Sequence, residues 1–199
     1  MTGVEVMGHL RADPRTRHIP VIVISASPLP EDRLAALAAG AEDFLQKPVD
    51  DLLLMARIRN VLRLNEDVRE EAGRVAHLAE DAASFAPPGR IALVIPRAER
   101  ALALRRALAA ESGNLVFPLS REAALAEGSF AGHPPAEVFV VDAEGGGAGG
   151  GLALLSDLRS RSETRHAGIC LWMQGEVRPE LAAVAYDMGA DDILSCLLY

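Results

Sequence analysis

Hydrophobic positions along this chain switch repeatedly between short apolar runs and helical spacings. Residues 19–24 form a Val- and Ile-rich run, the pattern of a parallel strand buried on both faces. Residues 31–39 set Leu34, Leu37 and Ala38 at helical spacing and stop at Gly40, a usual helix terminator. Phe44 and Leu45 start a second buried strand that ends at Lys47-Pro48. A longer helical pattern begins at Asp50 and Asp51, with Leu52, Leu53, Ala56, Ile58, Val61, Leu62 and Leu64 as its apolar face. It fades into a charged stretch towards residue 83, and Pro87-Pro88-Gly89 closes it. Beyond Gly89 the pattern predicts strands over 90–95, 114–118, 138–141, 169–173 and 192–194. Helices are predicted over 99–110, 122–127, 152–159 and 179–188. Five strands alternating with four helices predict an α/β fold with a doubly wound parallel sheet.

The chain repeats itself. Thr16-Arg17-His18 recurs as Thr164-Arg165-His166 at an offset of 148 residues. Gly40-Ala41-Glu42-Asp43-Phe44-Leu45 recurs, diverged, as Gly189-Ala190-Asp191-Asp192-Ile193-Leu194 at 149. Two matches at nearly one offset imply two copies of one unit, too long a period for a solenoid. The reading is therefore a partial first copy over 1–64, a helical linker over 65–88, and a nearly complete second copy over 89–199 that lacks its last helix.

Composition narrows the function by exclusion. The 199 residues carry a net charge of −8, which disfavours nucleic acid, since phosphate contacts need clustered Lys and Arg. No apolar run reaches the length of a membrane span and no signal peptide opens the chain, so a cytoplasmic protein without a membrane partner is expected. Cys170 and Cys196 have no metal-ligand spacing and read as reduced, buried thiols. His9, His18, His77, His133 and His166 are scattered, without a pair at metal or triad spacing. His18 and His166 hold matching positions, which suggests a shared loop role. Neither a metal site nor a catalytic residue is expected. The glycine-rich stretch over 144–151 has unpatterned glycines and no following Lys, so it reads as a flexible connector rather than a phosphate loop. Trp172, in a predicted strand, reads as packing.

Two residues carry candidate chemistry. Ser25 and Lys47 end the first two strands, and ligands of open α/β sheets bind outside the carboxyl ends of strands. One hydroxyl and one ammonium suit an anionic oxygen cluster such as a phosphoryl group. The phrases DPRTRHIPVIVISA and GAEDFLQKPVDD resemble the C-terminal half of a two-component receiver domain. They are similar to the two-receiver response regulators of the PleD type, which carry a diguanylate cyclase (GGDEF) output domain. The resemblance implies a receiver fold (CheY-like, flavodoxin-like), in one partial and one nearly complete copy. It makes Ser25 the switch hydroxyl, Lys47 the phosphate-binding lysine and Pro48 a cis proline. It implies Mg²⁺ in an intact receiver, though no cofactor in this chain, and a histidine kinase or phosphotransfer protein as partner.

Carried onto the second copy, the resemblance describes a site stripped of its chemistry. Ile95 and Pro96 stand at the positions of the metal-holding acidic pair, where Mg²⁺ needs hard oxygen ligands. Met173 replaces the hydroxyl and Cys196 the lysine. Asp142 alone matches, at the phosphoacceptor position, and is expected to be inactive and to cap its loop. The expected role is a non-catalytic receiver and adaptor module, dimerising and feeding a diguanylate cyclase. Met1 falls within a family loop and the ending CLLY departs from the family after GADDILS, so a chain truncated at both ends is expected. A piece of a cyclase or a non-functional frameshifted product are the alternatives. Two strands rarely stand alone, which predicts self-association or cover from the second copy.

Overall fold

A computed structural model describes residues 3–75, 88–126, 135–145, 150–175 and 177–196. The chain divides into two compact units, Met1–His77 and Leu78–Tyr199.

The first unit runs α1 (Gly3–Ala12), β1 (Ile22–Ser25), α2 (Pro30–Ala38), β2 (Asp43–Gln46) and α3 (Asp51–Val75). β1 and β2 pair in parallel, Ile22 opposite Asp43 and Ser25 opposite Gln46. β1 starts later than its apolar run because the backbone N–H of Ile19 bonds Thr16 O at 2.9 Å in a turn, and Pro20 has no N–H for a ladder. α1 is absent from the sequence reading. Met7 is its buried anchor, packed with Ala36, Ala41, Val21, Val23 and Phe44. The linker reading over 65–88 is helical as far as Val75, and 76–87 lie outside the described residues. At the root of α3, Arg57 Nε sits 2.9 Å from Asp43 Oδ2, both side chains largely buried.

The second unit runs β3 (Arg90–Val94), α4 (Ala98–Ser112), β4 (Leu115–Pro118), α5 (Arg121–Leu125) and β5 (Val138–Asp142). It continues through α6 (Gly150–Ser160), β6 (Gly168–Gln174), α7 (Pro179–Asp187) and β7 (Asp192–Cys196). All five strands are parallel in the order β4-β3-β5-β6-β7. Counted within the unit this is 2-1-3-4-5, the flavodoxin-like doubly wound order. Period-two alternation sorts the strand residues between faces. Leu93, Val140 and Trp172 join Ala101 of α4 and Val116 in one cluster. Phe139, Ile169 and Leu171, out of phase with these, are fully buried as well. A strand buried on both faces explains the unbroken apolar text of VFVVD and GICLWM.

The repeat is a repeat of structure. Thr16 Oγ1 donates to Leu10 O at 2.8 Å, and Thr164 Oγ1 to Leu158 O at 2.7 Å, closing the preceding helix in each unit. Arg11 reaches from α1 to the carbonyls of Gly40, Arg17 and Ile19; Arg159 reaches from α6 to those of Gly189, Arg165 and Ala167. Both glycines have positive φ (97° and 98°), and a Cβ on either would press into its arginine. The threonines near His18 and His166 hold the matched turns in place. The His166 ring accepts from Arg165 Nε at 2.9 Å.

Candidate functional site

In the first unit the site residues stand at adjacent strand ends. The backbone N–H of Lys47 donates to Ser25 O at 2.7 Å, extending the β1–β2 ladder by one rung. The Lys47-Pro48 bond is cis. Ser25 Oγ accepts from the Ser27 N–H at 3.2 Å, while the Ser27 hydroxyl bonds the Asp32 carboxylate at the start of α2. Lys47 is exposed and, among the described residues, makes no ion pair. A hydroxyl and an unengaged ammonium therefore lie on neighbouring strands at the carboxyl edge, an arrangement able to bind a phosphoryl oxygen.

In the second unit the registers fix which residues correspond. Ser25 faces Gln46, and Met173 faces Ser195, one residue before Cys196. The repeat equates Gln46 with Ser195, so Met173 occupies the Ser25 position and Cys196 that of Lys47. Met173 is buried. Ile95, Pro96 and Asp142 come together around a pocket of about 820 Å³ at the carboxyl ends of β3, β4 and β5. Its wall is largely aliphatic, with Ala98, Leu102 and Arg105 from α4, Leu119 to Glu122 around the start of α5, and Leu154 from α6. Asp142 is 6% exposed; its Oδ1 accepts the Glu144 N–H at 3.0 Å, which tightens the turn after β5. Ser120 caps α5 by accepting from Ala123 N–H at 3.1 Å. The Glu122 carboxyl is held below its usual range, first by its own N–H and then by the Ser120 hydroxyl.

The glycine-rich stretch is not a plain spacer at its ends. A Cβ on Gly145 would lie 2.7 Å from Pro96 Cδ, and one on Gly151 only 2.5 Å from Asp142 O. Close packing, not flexibility, demands these two glycines; residues 146–149 lie outside the described set.

The donors around Asp142 do not fit Mg²⁺. That ion prefers an octahedron of oxygens with carboxylate support, and here Ile95 and Pro96 offer hydrocarbon beside Asp142, while the other carboxylate of the pocket, Glu122, is exposed to water. Among the described residues no group of three His, Cys, Asp or Glu could hold a metal.

Sequence reasoning missed two arginines at this edge. Arg100 lies over the Trp172 ring, 5.6 Å from its centre, and hydrogen-bonds the Gln174 amide. Arg121 donates to Gly150 O at 3.0 Å and sits 3.4 Å from Asp157. Neither leaves a local spacing signal, since each partner is more than 25 residues away.

Comparison with known proteins agrees with this geometry. Residues 1–59 match the response regulator receiver domain family. Over 202 aligned residues, 98% of this chain, 31% are identical to Response regulator PleD of Caulobacter vibrioides. The first unit is thus similar to a receiver domain, and the chain as a whole is similar to PleD. The chain spans 43% of PleD. The first receiver unit is also 39% identical over 62 residues to the phosphate regulon transcriptional regulatory protein PhoB of Escherichia coli, 31% of this chain and 27% of that protein. Among solved structures, chemotaxis protein CheY4 of Vibrio cholerae superposes with a TM-score of 0.48 at 18% identity, covering 57% of this chain and 90% of its own. The 2-1-3-4-5 strand order is the flavodoxin-like order, which receivers share with other doubly wound folds. The likeness to PleD extends through both units. Among the described residues no helix is long and apolar enough to cross a membrane.

Proposed function

We propose that this chain is a non-catalytic input module of a cytoplasmic two-receiver regulator whose output is a diguanylate cyclase. The observation that carries this reading is the span of the likeness to PleD, which runs through both units and not through the first alone. In this reading a histidine kinase or phosphotransfer protein addresses the first receiver. Ser25 and Lys47 read the phosphoryl group there, with Pro48 holding the lysine loop. The second receiver, with Ile95 and Pro96 in place of an acidic pair and Met173 and Cys196 in place of hydroxyl and lysine, acts as an adaptor. It assembles copies without phosphorylation of its own Asp142.

Light scattering on the purified chain, with parallel incubation in GTP and Mg²⁺, tests the proposal. It predicts dimers whose mass does not respond to acetyl phosphate, and no cyclic dinucleotide. A strict monomer at all concentrations, or turnover of GTP, overturns it.

A further inference from the structure

The pocket of the second receiver has a volume within the usual range for small-molecule sites, roughly 300–1,000 Å³, and is largely walled by hydrocarbon. Four charged side chains line it: Arg105, Arg121, Glu122 and Asp142. Three of them need nothing from a ligand. Arg121 is already engaged by Gly150 O and Asp157, and Arg105 and Glu122 are exposed to water. Asp142 differs. It is buried, one oxygen holds the Glu144 N–H, and no Lys, Arg or His pairs with it among the described residues. A buried carboxylate without a counter-charge is costly, and a cation brought to it gains more than one at a solvated surface group. A metal ion is excluded by the donor set, since Ile95 and Pro96 supply no oxygen side chains. An organic cation with an apolar body satisfies both halves of the pocket at once.

We infer that this pocket binds a small apolar amine, its ammonium against Asp142 and its hydrocarbon against Ile95, Pro96, Leu102, Leu119 and Leu154. The second receiver then takes its signal from ligand occupancy at the place where its relatives' fold would hold a phosphoryl group. An anionic ligand is disfavoured, because its head would meet either the engaged Arg121 or the solvated Arg105, where ion pairs contribute little.

The test titrates the full chain with three probes of similar shape: phenethylamine, phenethyl alcohol and phenylpropionate, by calorimetry and ligand-observed NMR at neutral pH. The amine should bind at least about tenfold more tightly than the alcohol, the margin of one charge-assisted hydrogen bond, and the carboxylate weakest of all. Asp142→Asn should remove the preference for amine over alcohol while leaving the alcohol's affinity in place. Leu102→Trp, a change at a partly exposed wall residue, should fill the pocket and weaken both. Equal binding of amine and alcohol, preference for the carboxylate, or no saturable binding of any probe overturns the inference. So does amine binding that survives Leu102→Trp. The ranking of the three probes on the unmodified chain decides the matter even if a variant fails to fold.

Discussion

Arg159 joins three carbonyls and Asp191, 2.6 Å away, and so ties the end of α6 to the turn between α7 and β7. Asp191 also accepts the Ile169 N–H at 2.6 Å, so losing the guanidinium strips a partner from a part-buried carboxylate. Arg159→Ala should cost about 3 kcal/mol in urea unfolding. Arg11→Ala should cost less, because its carboxylate, Glu42, is 3.7 Å away and half exposed. Equal losses at the two sites would contradict this. Cys170 offers a pH test. Burial, then Asp192 and Asp191, push its thiol up to about 12 from 9.0, with Arg159 opposing. Between those values the folded chain keeps a proton that the unfolded chain releases, so this contribution to stability is full below pH 9 and is lost as pH rises towards 12. In a Cys196→Ser background, native Cys170 should resist iodoacetamide at pH 8 and react once unfolded; equal rates would refute the burial. Ser25 and Lys47 were legible because each ends a short apolar run. Arg11 and Arg159 were not, since a side chain that bonds carbonyls about 30 residues away imposes no local pattern. The 148-residue offset they share with Thr16 and Thr164 was the available clue.

At the scale of elements, the apolar runs of β5 and β6 became strands buried on both faces, whereas the Val- and Ile-rich run of β1 did not: none of its residues is buried and Ile24 is exposed, a correction to the expectation. Prolines stand at the helix starts, Pro30 and Pro179. Boundaries drifted where hydrogen bonding, not hydropathy, decides them, as at Ile19 and Pro20. α1 escaped notice because Met7 is its sole buried residue, too narrow a stripe for periodicity to show. Composition could not show the close packing of Gly145 and Gly151 at the ends of the glycine-rich stretch, because contact with Pro96 and Asp142 is a tertiary demand. Gly151→Ala should therefore destabilise the second unit by about 2 kcal/mol, since the neighbour a Cβ would strike is backbone. Gly113→Ala, with φ of 66° but open space around it, should cost about 1 kcal/mol from backbone strain alone. Thermal unfolding of the two variants checks the order, and a milder effect at Gly151 would contradict the packing account.

The whole molecule carries a hydroxyl and an ammonium at adjacent strand ends of its first unit, and a largely hydrocarbon-walled pocket at the carboxyl edge of its second. In the first unit Leu34, Leu52, Met55 and Leu62 are about half exposed or more, an apolar allotment that invites association. The chain should bind a hydrophobic dye and sediment as more than a monomer at micromolar concentration; a compact monomer without dye binding would count against this. The fold class was readable from alternation and repeat alone, whereas the pocket was not, because its wall draws on β3, α4, β4, α5, β5 and α6 together. The central claim is that Asp142 keeps the acceptor's place without the acceptor's chemistry. Intact-mass spectrometry after incubation with acetyl phosphate and Mg²⁺ tests it most directly. The account predicts an unchanged mass, for the chain and for Asp142→Asn alike. A stoichiometric phosphoryl adduct that disappears in Asp142→Asn would contradict it.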